Sequence, residues 1–186
     1  MLLLKTENRR EKTEMAMPQG FKGMGSRQPQ RDSEFVKAGR YVVRVDKFSF
    51  GKTRAGRDYA LFNFTILSVV DDSEAAKDPK GPHRVGDKAS WMMMSDVDAS
   101  GPALKAAVMS LIGTNESEEL DDDTFEKLAS PANPLGGLFA EIDCRIIITK
   151  GKGQPFNLVK VKRPIEFEEL KTIVPAETLN SMKITG

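Results

Sequence analysis

The segment from residue 39 to residue 67 constrains this chain more than any other. Tyr41, Val43 and Val45 alternate with Arg44 and Asp46, and farther on Phe62, Phe64 and Ile66 alternate with Tyr59, Leu61, Asn63 and Thr65. Apolar residues at every second position bury one face of a strand and leave the other wet, a period that a helix does not satisfy. Gly51-Lys52-Thr53-Arg54-Ala55-Gly56-Arg57 lies between the two runs, so together they read as one long hairpin with a basic turn. A hairpin alone is only marginally stable, and the rest of the chain has to complete its sheet.

Three further strands are expected, at 87–94, 138–149 and 156–162. Between the third and fourth strands, Ser100-Gly101-Pro102 opens a helix carrying Leu104, Val108 and Leu111, and Gly113 stops it. A shorter helix follows, with Asp123 as its cap and Glu126 three residues on, ending before Pro131. Three strands, a helical insertion and two strands is the order of a five-stranded OB-fold-like barrel, so the expected class is mainly β. Trp91 and Met93 share one strand face and Met92 and Met94 the other; one pair has to be core.

Residues 1–34 show no sustained apolar periodicity and are read as a flexible basic arm. The OB-fold domain is expected over 35–164, and 165–186 as a short helical C-terminal tail. No apolar run approaches the roughly 20 residues of a membrane helix. Met1-Leu2-Leu3-Leu4 is followed at once by Lys5, Glu7 and Arg9, unlike an export signal. The expected setting is therefore cytoplasmic, a bacterial host's cytoplasm if the chain is phage-encoded, with no membrane partner.

One Cys and one His exclude a disulfide framework and a zinc site. Gly51-Lys52-Thr53 resembles the end of a phosphate-binding loop, but the glycine required five residues earlier is Asp46. Asp121-Asp122-Asp123 lacks calcium-loop spacing and suits the positive end of a helix. His83 sits in a Pro- and Gly-bearing loop, with no second histidine and no exposed thiol to work with. No catalytic residue, metal or cofactor is expected, and the chain is read as no enzyme.

The formal net charge of +1 conceals a division: residues 1–57 carry +8, residues 58–142 carry −10 and residues 143–186 carry +3. Basic and aromatic residues collect on two hairpins. The first holds Arg44, Lys47, Phe48 and Phe50 on a strand, Lys52, Arg54 and Arg57 in the turn, and Tyr59 just beyond. The second holds Arg145, Lys150 and Lys152, then Phe156, Lys160 and Lys162; Trp91 is core or groove edge. Lys and Arg track phosphates and aromatic faces stack unpaired bases of any identity, so single-stranded nucleic acid is the partner these residues fit. Phe48 and Phe50 are either stacking platforms or, if a bulge shifts the strand, core.

The pattern resembles a phage family of OB-fold single-stranded-DNA-binding proteins of replication and recombination modules. Gly39-Arg40-Tyr41-Val42-Val43, the Lys52–Arg57 turn, the aromatic run 59–66, Val85-Gly86-Asp87-Lys88, the helix 104–112 and the hairpin 150–161 carry the resemblance over residues 35–164. It implies a barrel that coats single-stranded DNA with little sequence preference, with replication or recombination proteins as further partners. Many members end in a short acidic tail, whereas residues 180–186 here are Asn-Ser-Met-Lys-Ile-Thr-Gly; Glu166, Glu168 and Glu169 are the local substitute. Self-association through the arm or the tail is a further expectation. The competing reading is a protein-interaction adaptor or inhibitor on the same fold, contacting partners through the acidic segments 71–87 and 116–126.

Overall fold

A computed structural model describes residues 34–78, 80–114, 120–148 and 156–184. The strands are β1 (Glu34–Phe35), β2 (Gly39–Lys52), β3 (Asp58–Asp71), β4 (Lys88–Met94), β5 (Phe139–Ile147) and β6 (Phe156–Ile165). The helices are α1 (Ser100–Ile112), α2 (Asp122–Leu128), α3 (Phe167–Ile173) and α4 (Ala176–Ser181). All six strands form one mixed sheet in the order β1-β4-β3-β2-β5-β6.

This corrects the expected closed, five-stranded barrel. Among the described residues β4 and β6 share no ladder, and the two-residue β1 pairs parallel with β4. The Val36 N–H donates to the Ser90 carbonyl at 2.9 Å, and the Asn157 side-chain amide donates to the Val36 carbonyl at 2.7 Å. A strip of chain and one amide therefore stand where a ladder would close the wall. Helix α1 packs against both β6 and β4, lies across the same seam, and ends at Gly113 with φ of 68°, as the sequence predicts.

One face of the sheet carries the main core. Tyr41, Val43, Val45, Phe62, Phe64 and Ile66 are fully buried there, as the alternation predicts, with Trp91 and Met93 from β4 and Val108 and Leu111 from α1. The opposite face is covered at one end by the C-terminal segment. Val42 and Leu67 point into a second apolar cluster with Ile165, Leu170, Val174 and Leu179, so α3 and α4 pack on the sheet. Helix α2 is capped by Asp121, whose carboxylate accepts from the Thr124 N–H at 2.8 Å. Asp123, the cap expected from sequence, lies inside its first turn.

The strand β2 contains the feature that decides the site. Val45 pairs with Phe64 and Lys47 with Asn63, leaving Asp46 as an extra residue in a β-bulge. The bulge reverses the alternation, so Phe48 turns inward and stacks on Phe62 with ring centres 4.6 Å apart. The bulged backbone is satisfied from a distance. Asn133 accepts from the Phe48 N–H at 3.2 Å and donates to the Asp46 carbonyl at 2.8 Å. Asn133 itself holds φ of 49°, a conformation Asn tolerates better than most residues.

His83 lies in a loop, as expected, and its side chain is buried. Its Nε2 accepts from the Lys37 N–H at 3.1 Å, and its own N–H donates to the Tyr41 hydroxyl, which donates to the Ala38 carbonyl at 2.7 Å. Its Nδ1 faces the Asp87 carboxylate at 3.5 Å. These contacts tie the loop before β4 to the segment between β1 and β2. Burial, with the nearby Lys37 charge, holds the imidazole below its ordinary pKa of 6.5, against the opposing pull of Asp87.

Two predictions follow from these contacts. Asn133→Ala strands the Phe48 N–H and the Asp46 carbonyl and places Ala at positive φ, and is expected to lower unfolding free energy by about 2–3 kcal/mol. Asn133→Gly tolerates that φ but loses the same two bonds, so urea denaturation is expected to show it recovering only part of the loss. The unfolded chain takes up the His83 proton near the ordinary pKa while the folded chain resists it. Stability is therefore complete above that pKa and is lost as pH falls through it toward the lower folded value. Urea midpoints measured from pH 7 to pH 5 are expected to fall, and His83→Gln is expected to flatten that slope.

Candidate nucleic-acid interface

The β2–β3 hairpin projects a basic tip. The Thr53 N–H donates to the Arg57 carbonyl at 2.8 Å, and the Gly56 N–H, at φ of 78°, donates to the Thr53 carbonyl at 2.9 Å. The turn is thereby fixed, with Lys52, Arg54 and Arg57 exposed around it. Lys52 pairs with Asp58 at 2.9 Å, and Arg57 grips Asp96 through Nε at 2.8 Å and a terminal nitrogen at 2.7 Å. The Arg57 pair holds the Asp96 carboxyl below its usual range. Arg54 meets no carboxylate among the described residues.

Two aromatic rings lie at the base of this tip. Tyr59 crosses onto β2 at Gly51, where an added Cβ would come within 2.6 Å of its ring, so the glycine is what lets the ring lie close to the strand. Phe50 stands at the end of the core with 47% of its surface exposed, edge-on to Phe48 at 5.2 Å. Between the hairpin, the end of β4 and the start of α1 lies a pocket of about 540 Å³, walled by Phe50, Ala60, Met93 and Leu104.

The sheet face beside Tyr59 extends the patch. Tyr59 pairs with Met94 and Leu61 with Met92, and these four half-buried side chains share the face opposite the main core. Lys47 and Ser49 of β2 lie on the same face, opposite Asn63 and Leu61. Leu61, Met92 and Met94 are absent from the residues picked out by sequence. Their signal was the alternation itself, because placing Trp91 and Met93 in the core turns Met92 and Met94 outward.

The other expected site residues divide into three groups. Phe48 is fully buried and Trp91 is 8% exposed, so neither offers a stacking platform; the bulge and the stacked rings of the core consume both. Arg44 is partly buried and tied to Asp46 at 3.0 Å. Burial would raise the Asp46 carboxyl, but hydrogen bonds from Lys88 and Thr65 outweigh it and hold the group low. Arg145 pairs with Asp143 at 2.9 Å on the other side of β2, where Phe156, Lys160 and Lys162 are exposed on β6. Lys150 and Lys152 lie outside the described residues. The structure thus gathers Lys47, Phe50, Lys52, Arg54, Arg57 and Tyr59 on one hairpin and leaves the β5–β6 residues as a separate group.

Among the described residues no cluster of three or more His, Cys, Asp or Glu side chains is placed to hold a metal. Burial pushes the Cys144 thiol up to about 12, which denies it nucleophilic character at neutral pH. Of the acidic residues considered for partner binding, Glu169 is taken by Arg163 and Glu168 by Lys171. Among the described residues no helix is long and apolar enough to cross a membrane. No protein-family model and no curated protein matches this chain.

The placement of the two phenylalanines gives a direct contrast. Phe48→Ala empties a packed core site and is expected to cost about 3–5 kcal/mol. Phe50→Ala is expected to cost about 1 kcal/mol or less, because its ring contributes one edge contact and is half in water. Paired thermal or urea unfolding of the two variants checks the bulge; equal losses would contradict it.

Proposed function

We propose that this chain binds single-stranded DNA with little sequence preference. The observation that carries the reading is the β2–β3 hairpin: a turn bearing Lys52, Arg54 and Arg57, with the exposed ring of Phe50 and the half-buried ring of Tyr59 at its base. Cations on a fixed tip attract phosphates, and rings a few residues away accept bases on their faces, the combination that sequence-tolerant strand binding needs. The long strands support it, since β4-β3-β2-β5-β6 with helices between β4 and β5 is the order of an OB barrel left open at one seam. In that architecture the first hairpin and the adjoining strand face form the strand-binding groove. Here that face carries Tyr59, Leu61, Met92 and Met94.

The ion pairs at the tip fit this mechanism. Exposed pairs such as Lys52–Asp58 contribute little to stability, so a phosphate replaces the carboxylate at small cost. The resemblance to phage proteins of replication and recombination modules sets the process in which such binding would serve, with their proteins and further copies of the chain as partners.

The test is a fluorescence titration of oligo-dT and a matched duplex at two salt concentrations. Four phosphate contacts from Lys47, Lys52, Arg54 and Arg57 predict that log K falls by about 3 per decade of salt. Tighter binding to oligo-dT than to duplex is expected. Equal affinity for the two, or none for either, would overturn the reading.

A further inference from the structure

We infer that the pocket between the β2–β3 hairpin and α1 is a receptor for one unpaired nucleobase, a site distinct from stacking on the open sheet face. This rests on the single-strand reading above and adds where, and in what state, a base is held. The pocket's volume of about 540 Å³ falls within the roughly 300–1,000 Å³ of small-molecule sites. Phe50, Ala60, Met93 and Leu104 give it apolar walls. One wall is aromatic and already ordered: Phe50 meets Phe48 edge-on at 5.2 Å, and Phe48 is itself stacked on Phe62. A ring held from behind loses little freedom when a flat ligand settles on its front.

The polar groups fit a nucleotide better than an apolar peptide or a lipid chain. Ser95 and Ser100 line the pocket, and their hydroxyls make no hydrogen bond to any described residue, leaving donors and acceptors for a base edge. Lys52 stands at the rim with 71% of its side chain exposed, and Arg54 and Arg57 continue the positive charge along the turn. A base entering the pocket therefore leaves its flanking phosphates beside cations. A base paired in a duplex has to leave its stack before it can enter, so the pocket favours single strands over duplex in addition to any charge effect.

The experiment uses the full chain and two ligands of equal length and charge: oligo-dT and an abasic deoxyribose-phosphate oligomer. Leu104→Trp and Ser100→Trp each fill the pocket from α1 while leaving every hairpin residue unaltered, and either alone suffices if the other fails to melt cooperatively. Affinity for oligo-dT is expected to fall about tenfold in each variant, with affinity for the abasic oligomer unchanged. Wild-type affinity for oligo-dT in both variants overturns the pocket and leaves the proposed function standing. Equal losses for both ligands overturn the pocket as well. Failure of the unaltered chain to bind oligo-dT overturns the function and the pocket together.

Discussion

A single side-chain amide, that of Asn133, fixes the geometry on which the candidate site depends. By accepting from the Phe48 N–H and donating to the Asp46 carbonyl, it satisfies the two backbone groups that the bulge in β2 takes out of the ladder. The bulge then rotates the second half of the strand. Phe48 moves inward to stack with Phe62, Phe50 reaches the core's rim, and Lys47 and Ser49 remain on the face shared with Tyr59 and Leu61. Without the extra residue, Phe48 would occupy the wet face and Lys47 would point into the core. The placement of the hairpin's cations and rings follows from that one insertion.

The sequence made much of this legible. Alternation located the long hairpin, β4 and the final strand pair, and it restricted the β4 core to one of two pairs. The position of the bulge was not legible, because its partner Asn133 lies 85 residues from Phe48 and carries no local signal. The same holds for His83. A lone histidine beside Gly and Pro reads only as a loop residue, and its burial shows once Lys37 and Tyr41 are brought to it from the far side of the loop. The two residues of β1 are too few for any periodicity. The apolar residues of 165–184 show weak helices, but only the sheet reveals that Val42 and Leu67 wait for them. Where fold depended on local pattern, the sequence sufficed; where it depended on one distant polar group, it did not.

Charge shows the same limit. Read along the chain, acidic and basic residues separate into blocks. In space Asp46, Asp58, Asp96 and Asp143 each stand against a basic residue: Arg44, Lys52, Arg57 and Arg145. A surface built in this way presents a weaker field than its cations alone would, and an approaching polyanion has to compete with resident carboxylates. Such competition limits adhesion to any phosphate surface and gives greater weight to contacts that charge does not supply. The rings at the base of the hairpin are contacts of that kind.

The seam between β4 and β6 has a mechanical meaning. The wall there is held by a two-residue parallel ladder, the Val36 hydrogen bond to Ser90 and the reach of Asn157, with α1 behind it. A force applied to the chain ahead of Glu34 is carried into those few bonds before it reaches the long antiparallel ladders. The molecule accordingly has a built-in line of least resistance beside Trp91, where it would yield first and where reclosure requires realigning only a handful of groups.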